Sequence, residues 1–167
     1  AAILGAAPAR ADVVIGVAVP RSGAYVAVGE QVLRGVQAAA RDANAKGGLD
    51  GQTIVLDVQD DACDSNKATA VANHFVQSGV KLVVGHVCSN ASIAASEVYA
   101  ANGVLMITAA SVSARLTDRG LPNVFRVCGR DDDQARLSNV RAGEVAGRAP
   151  HTLITQAPGD LVDRAAR

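Results

Sequence analysis

The sequence predicts an α/β fold with a doubly wound, mostly parallel sheet, because short β-branched runs alternate with stretches of helical periodicity. The first strand, Val13–Val19, is a continuous apolar run, which is typical of a parallel strand covered on both faces. The chain has 167 residues, of which 49% are hydrophobic and 19% are charged, so it can bury one ordinary core. Ligands of such sheets bind beyond the carboxyl ends of the strands, and the sequence places these loops there: Pro20–Gly23, Asp60–Asp64, Gly85–Asn90 and Ala109–Ser113.

Each further element follows from its own local pattern. Val32 and Val36 fall at helical spacing, and Gly47 provides a stop for that helix. Asp64 or Ser65 can cap the second helix. The predicted elements after the first strand and helix are, in order, a strand over Thr53–Val58, a helix that continues to Val76, a strand over Lys81–Val84, a helix over Ser92–Ala101, and strands over Val104–Thr108 and Val124–Val127.

The pattern divides the chain into three segments. Residues 1–11 are predicted to be the remnant of a signal peptide, because a small apolar stretch ends in the small-x-small triplet Ala9-Arg10-Ala11. A disordered apolar tail is the alternative. Residues 12–134 carry the alternating strands and helices of the predicted domain. Residues 135–167 match this pattern weakly, with a helix over 135–148 and a strand over Thr152–Thr155, and we interpret them as a truncated or frame-altered tail.

The cysteines indicate a cross-link. Cys63 and Cys88 each follow a predicted strand, so both are expected at the same edge of the sheet. We interpret them as a disulfide that joins neighbouring loops, and such a bond persists in an oxidising compartment, in agreement with export. Two buried free thiols are the alternative. Cys128 is then unpaired and is interpreted as a small buried residue.

Small polar residues in two of the loops are candidate ligand contacts. Ser89 follows Cys88 at the start of a predicted helix, where its hydroxyl and the unpaired backbone N–H groups can bind a carboxylate. Simple capping of that helix is the alternative. Ala110, Ser111 and Ser113 come from the neighbouring loop and can complete a polar cradle, or they can form an ordinary turn.

Motifs and charge narrow the function classes. The sequence has no GxGxxG after the first strand, no Walker loop, no GxSxG and no HExxH, which favours binding over catalysis and implies neither cofactor nor metal. The formal net charge is zero and aromatic residues are 2%, so nothing points to nucleic acid. We interpret Asp131-Asp132-Asp133 as a solvated helix start, Asp60-Asp61 as a hydrogen-bonded loop, and His86 as a structural hydrogen-bonding residue.

Several motifs together resemble one known family. The closest are Gly85-His86-Val87-Cys88-Ser89 and Leu105-Met106-Ile107-Thr108, and further matches lie at Ser22-Gly23 and Asp60–Asp64. Residues 12–134 are similar to the N-terminal lobe of the periplasmic leucine/isoleucine/valine-binding proteins of ABC transporters. The resemblance implies a type I periplasmic-binding-protein fold without its second lobe, a periplasmic location, and an amino-acid-binding component that serves a membrane permease.

The resemblance also implies particular ligand contacts. The family's serine after the second cysteine binds the ligand carboxylate and corresponds to Ser89. A backbone carbonyl that receives the ligand ammonium group corresponds to Ala110. A family threonine corresponds to Val112, which keeps the N–H but lacks the hydroxyl, so Ser111 or Ser113 would have to compensate.

These observations leave several functions open. The leading interpretation is an extracytoplasmic binding component for branched-chain or related amino acids, present as an incomplete copy that binds ligand weakly or not at all. Because of Val112, the alternative is the same fold binding an amide, a urea or an aromatic acid. A small doubly wound enzyme and a non-functional gene remnant are the remaining alternatives.

Overall fold

The computed structural model describes residues 12–137, which fall into two compact units. The larger unit contains residues 12–111 and 115–128, and the smaller one contains residues 112–114 and 129–137. None of the helices in residues 12–137 combines the length and the apolar content needed to cross a bilayer. The predicted signal-peptide remnant at 1–11 and the predicted strand Thr152–Thr155 lie outside the described residues.

The larger unit is built on a five-stranded sheet in which every pair of neighbouring strands is parallel. The strand order is β2-β1-β3-β4-β5, so the first strand lies between the second and the third. The elements are β1 (Val13–Val19), α1 (Val26–Ala45), β2 (Ile54–Asp60), α2 (Ser65–Gln77), β3 (Leu82–Gly85), α3 (Ser89–Ala101), β4 (Leu105–Thr108), a 3-10 turn (Ala114–Leu116) and β5 (Val124–Arg126). The predicted α/β fold with a parallel sheet is confirmed.

Helices cover both faces of the sheet, because alternate residues of a strand point to opposite sides. On one face, Ala18 and Met106 pack with Phe75 of α2 and Tyr99 of α3 in the main buried cluster. On the other face, Val17, Val19 and Val87 are buried against α1 and β2, where Val32, Val36 and Leu56 are among their neighbours. The sheet is therefore doubly wound, as the continuous apolar run of β1 predicts.

The end of β2 and the start of α3 differ by two or more residues from the positions that the sequence predicts. β2 extends to Asp60 rather than ending at Val58, because its parallel pairing with β1 continues to the pair Val19 and Asp60. α3 begins at Ser89 rather than Ser92, since the extended backbone of Cys88 starts the helix and its carbonyl accepts the Ser92 N–H at 2.9 Å. In the smaller unit, residues 131–137 are helical, so that helix begins earlier than predicted, and the remainder of the predicted helix over 135–148 lies outside the described residues.

Gly85, the last residue of β3, can be tested as a position that requires glycine. It has φ of +139°, and a Cβ built there would lie 2.2 Å from the backbone oxygen of Ala18. We expect Gly85→Ala to lower the free energy of unfolding by at least about 2 kcal/mol, because the new Cβ would overlap the backbone oxygen of Ala18, which is paired with Gly85 in the sheet, and because φ is unfavourable for alanine. Urea denaturation followed by circular dichroism measures this change.

Gly35→Ala is the matched control, because a Cβ at Gly35 would meet nothing within 4 Å and its φ is ordinary. An alanine in this exposed helical position should raise the stability by about 0.5–1 kcal/mol. Equal effects of the two substitutions would show that the contact with Ala18 is not restrictive.

Candidate ligand-binding site at the carboxyl edge of the sheet

The β2–α2 and β3–α3 loops meet above the end of β1, because β2 and β3 flank that strand. Cys63 and Cys88 join the two loops through a disulfide, with their Cα atoms 5.3 Å apart. The predicted pairing is confirmed. Within residues 12–137, Cys128 is the remaining thiol; it is partly rather than fully buried, and it donates to the carbonyl of Ser111 at 3.5 Å.

Ser89 is the first residue of α3 and is partly exposed at this edge. The residue in the N-cap position is Cys88, so Ser89 occupies the first position inside the helix. The first N–H groups of an α-helix lack partners within the helix and favour a negative charge. The position of Ser89 is thus suited to a carboxylate, while its contact with a ligand stays a prediction.

Hydroxyl groups from the neighbouring β4 loop hold the backbone just before Ser89. Thr108 Oγ1 donates to the carbonyl of His86 at 2.7 Å. Ser111 Oγ lies 3.1 Å from the carbonyls of both His86 and Val87, and 2.5 Å from the hydroxyl of Ser92. Ser111 is fully buried, so its hydroxyl supports the shape of the β3–α3 loop. Its predicted contact with a ligand stays a prediction.

The other predicted contact residues are placed as follows. Ala110 is partly buried in the larger unit, and its N–H points to Thr108 Oγ1 at 3.4 Å. Val112 belongs to the smaller unit, where its carbonyl accepts the N–H of Asp131 at 3.1 Å and its side chain is 37% exposed. Ser113 also belongs to the smaller unit and is partly buried.

Asp60 ties the first loop, after β1, to the second. Its Oδ2 accepts the Ser22 hydroxyl at 2.6 Å, and its Oδ1 accepts the N–H groups of Arg21 at 2.7 Å and Ala62 at 2.9 Å. Burial raises the pKa of this carboxyl, but the hydrogen bonds and the charge of Lys67 outweigh burial and lower the pKa from 3.8 to about 2. Asp60 is therefore a loop-bonding carboxylate, as predicted, rather than an acid or base.

Asp61, His86 and Tyr99 form a fully buried array behind the disulfide. Asp61 Oδ2 lies 2.6 Å from His86 Nδ1, and His86 Nε2 lies 3.1 Å from the Tyr99 hydroxyl. Asp61 Oδ1 also accepts the N–H of Cys63 at 2.9 Å. The interpretation of His86 as a structural hydrogen-bonding residue is confirmed, but sequence reasoning missed its partners.

A signal for this array was present in the spacing. Asp61 and His86 are 25 positions apart, and so are the disulfide cysteines two residues further along each loop. Once the cysteines are paired, the equal spacing places the carboxylate and the imidazole opposite each other.

A separate opening in the larger unit lies away from this edge. A cavity of about 540 Å³ separates α1 from the sheet and has an almost entirely apolar lining that includes Ile15, Val36 and Leu56. A charged ligand would find only Gln31 there as a polar side chain. The polar groups at the carboxyl edge make that edge the better candidate site.

Comparisons with known proteins show which family this chain belongs to. Residues 12–154 match the model of a family described as periplasmic binding protein. The Leu/Ile/Val-binding protein homolog 2 of Brucella abortus is 46% identical over 142 residues, which cover 81% of this chain and 38% of that protein. An amino acid binding protein of Pseudomonas aeruginosa is 52% identical over 127 residues, which cover 75% of this chain and 34% of that protein.

A solved structure of an amino-acid-binding protein is also similar to this chain. The branched-chain amino acid transporter substrate binding protein LivJ of Streptococcus pneumoniae, in complex with isoleucine, superimposes with a TM-score of 0.75 at 30% identity. The match covers 80% of this chain and 38% of that one. The chain thus spans little more than a third of the length of the curated relatives that it matches.

The disulfide is expected to stabilise the larger unit by closing a loop of 25 residues. Replacing both Cys63 and Cys88 by serine should lower the free energy of unfolding by roughly 3–4 kcal/mol, because the unfolded chain regains the entropy of the open loop. Urea denaturation with and without reductant measures this. Reductant should shift wild type and Cys128→Ser equally and leave the double variant unchanged; a double variant as stable as wild type would contradict the expectation.

The stability of the folded chain should depend on pH through Asp60, and the lowered pKa of this residue determines the sign of the dependence. The folded pKa of about 2 lies below the ordinary 3.8, so the carboxylate stabilises the fold above pH 4 and loses this effect as the pH falls towards 2. Asp60→Asn should therefore destabilise the protein most at neutral pH and least near pH 2, as measured by urea denaturation across that range. Asp42→Asn, at an exposed position of α1, controls for the loss of one charge. A pH-independent difference for Asp60→Asn would contradict this account.

Proposed function

Since this chain belongs to the periplasmic binding protein family, we propose that it provides one half of a binding site for a branched-chain amino acid that an ABC transporter imports. The predicted resemblance to Leu/Ile/Val-binding proteins is confirmed by the curated relatives, and the parallel α/β sheet is the fold that this resemblance implies. The proposal concerns the whole protein's ligand, because the relatives are much longer than this chain.

The observation that carries the proposal is the arrangement of the β3–α3 loop. Ser89 stands at the first turn of α3, and the loop before it is fixed by the disulfide at Cys88 and by the hydroxyls that bind the carbonyl of His86. A loop that is already ordered binds a carboxylate without a further loss of conformational entropy. Ala110, from the adjacent loop, supplies a backbone carbonyl for the ammonium group.

The names of the relatives support the ligand class. The Brucella abortus relative is named for leucine, isoleucine and valine, and the Streptococcus pneumoniae structure contains isoleucine. For this chain we propose the same class of aliphatic α-amino acid, bound through its carboxylate and its ammonium group.

Val112 favours a second class of ligand as an alternative. Its backbone N–H remains a donor, but the side chain cannot hydrogen-bond the ligand. The loss of one hydrogen bond to a charged group costs roughly 1.5–3 kcal/mol, which weakens the binding of an α-amino acid relative to an amide, a urea or an aromatic acid that does not need this bond. We retain this class as the alternative ligand.

The location and the partner follow from the same proposal. A disulfide between Cys63 and Cys88 is stable in an oxidising compartment, which agrees with the periplasm. The partner is then the membrane permease of the transporter, and the function is binding without turnover. The predicted signal peptide is part of this proposal and can be checked by N-terminal sequencing of the exported protein.

Ligand binding can be measured by NMR titration of the isotope-labelled chain with L-leucine. We expect saturable binding in the millimolar range, or about −4 kcal/mol, with shifts concentrated at Cys88–Asn90 and Ala110. Ser89→Ala should weaken it by roughly tenfold or more, because a charge-assisted hydrogen bond is lost. Ser78→Ala, at the opposite end of the sheet after α2, should leave it unchanged.

Two results would contradict the expected contact of this chain's half of the site with leucine. One is the absence of shifts at these loops at every leucine concentration, and the other is an equal loss of binding in both serine variants. Stronger binding of benzoate or propionamide than of leucine would instead establish the alternative ligand class.

A further inference from the structure

We propose that Asp61, His86 and Tyr99 are positioning residues for the ligand site, and that their buried hydrogen bonds hold the β3–α3 loop in the conformation that presents Ser89. The part of this inference that concerns ligand affinity rests on the proposed function. The part that concerns the conformation of the loop does not.

His86 connects more of the site than any other residue described above. Its ring joins Asp61 of the β2–α2 loop to Tyr99 of α3, at 2.6 and 3.1 Å. Its backbone carbonyl accepts the hydroxyls of Thr108 at 2.7 Å and Ser111 at 3.1 Å, which come from the end of β4 and the loop after it. Three separate parts of the fold are therefore fixed to one residue that lies three positions before Ser89.

Chemistry assigns the direction of each hydrogen bond. The Asp61 carboxylate is an acceptor, and it takes the N–H of Cys63 on one oxygen and the Nδ1–H of His86 on the other. Burial, together with the charge of Asp61, raises the pKa of the Tyr99 hydroxyl, so this hydroxyl keeps its proton and can donate to Nε2 when the ring proton is on Nδ1. Every polar group of the array then has a partner, as a buried group requires.

The disulfide alone does not fix the loop. Cys63 and Cys88 join the two loops at one point, and a chain held at one point can still pivot about it. The link between Asp61 and His86 lies two residues earlier on each loop and spans the same 25 positions. Asn90 Nδ2 also donates to the carbonyl of Cys63 at 3.1 Å, so the link between Asp61 and His86 acts with this hydrogen bond and the disulfide to restrict the pivot and the direction in which Ser89 faces.

The chain offers a matched control for this pair. Asp57 Oδ2 lies 2.8 Å from Nε2 of His74, so it forms the same kind of contact. His74 is 47% exposed, and the pair joins β2 to α2 rather than to the β3–α3 loop. Asp57→Asn therefore changes the same chemistry without touching the proposed positioning array.

Amide hydrogen exchange of the folded, oxidised chain tests the inference. Asp61→Asn should speed exchange at residues 87–90 by roughly tenfold or more, because the loop opens more often when a buried hydrogen bond to a charged group is lost. Asp57→Asn should leave these amides at the wild-type rate. If Asp61→Asn does not fold, Tyr99→Phe, which removes one hydroxyl, tests the same residues and should also raise their exchange.

Conservative variants of His86 separate positioning from general stability. An asparagine amide nitrogen can replace Nδ1 and bind Asp61, whereas a glutamine amide nitrogen replaces Nε2 and leaves Asp61 unbound. His86→Asn should keep residues 87–90 closer to the wild-type exchange rate than His86→Gln does. Faster exchange over the whole chain, equal effects of the two variants, or unchanged loop exchange in both would overturn the inference.

Leucine titration of the same variants completes the test. Affinity should fall by roughly tenfold in His86→Gln and stay unchanged in Asp57→Asn. If wild type binds no leucine while residues 87–90 respond as expected, the expected contact of this chain with leucine is wrong and the positioning role stands. If leucine binds equally well to all variants, the positioning role is wrong and the proposed ligand stands.

Discussion

The hydrogen bond between the Asp61 carboxylate and the His86 imidazole is the interaction on which the carboxyl edge of this sheet depends. β2 and β3 do not pair with each other, because β1 lies between them. Their loops therefore meet only across the end of β1, without backbone pairing to hold them together. A buried hydrogen bond and a disulfide take the place of that pairing, and α3 with Ser89 begins directly after both.

Burying this array is favourable only because its members satisfy one another. A carboxylate taken out of water costs several kcal/mol unless donors replace its hydration, and Asp61 receives donors from Cys63 and His86. The Nε2 atom of the imidazole is in turn hydrogen-bonded to the Tyr99 hydroxyl. The backbone carbonyl of His86 accepts the hydroxyl of Thr108, at the end of β4. The removal of one member leaves buried polar groups of the others without a partner, so alternative conformations of the loop are costly. A rigid loop of this kind suits the recognition of a small charged ligand.

The sequence predicts the strands, the helices and the disulfide, because each depends on local pattern or on residues with one dominant chemistry. β1 is recognisable from its continuous apolar run, and Cys63 with Cys88 from their matching places after two strands. The array of Asp61, His86 and Tyr99 has no such local pattern: the spacing that Asp61 and His86 share with the cysteines indicates their contact only once the cysteine pairing is known, and the contact with Tyr99 depends on how α3 packs. For the same reason the burial of Ser111 could not be foreseen: a serine in a polar loop has the same local pattern whether its hydroxyl faces solvent or a backbone carbonyl.

The most direct test is to determine which ring nitrogen of His86 carries a proton in the folded chain, by nitrogen NMR of histidine-labelled protein. We predict a proton on Nδ1 that exchanges slowly with solvent, because the Asp61 carboxylate can only accept a hydrogen bond and the pair is buried. A ring that carries its proton on Nε2 alone, with Nδ1 bare, would contradict it, because Asp61 would then have to be the donor and the two loops would not be joined by a charged acceptor.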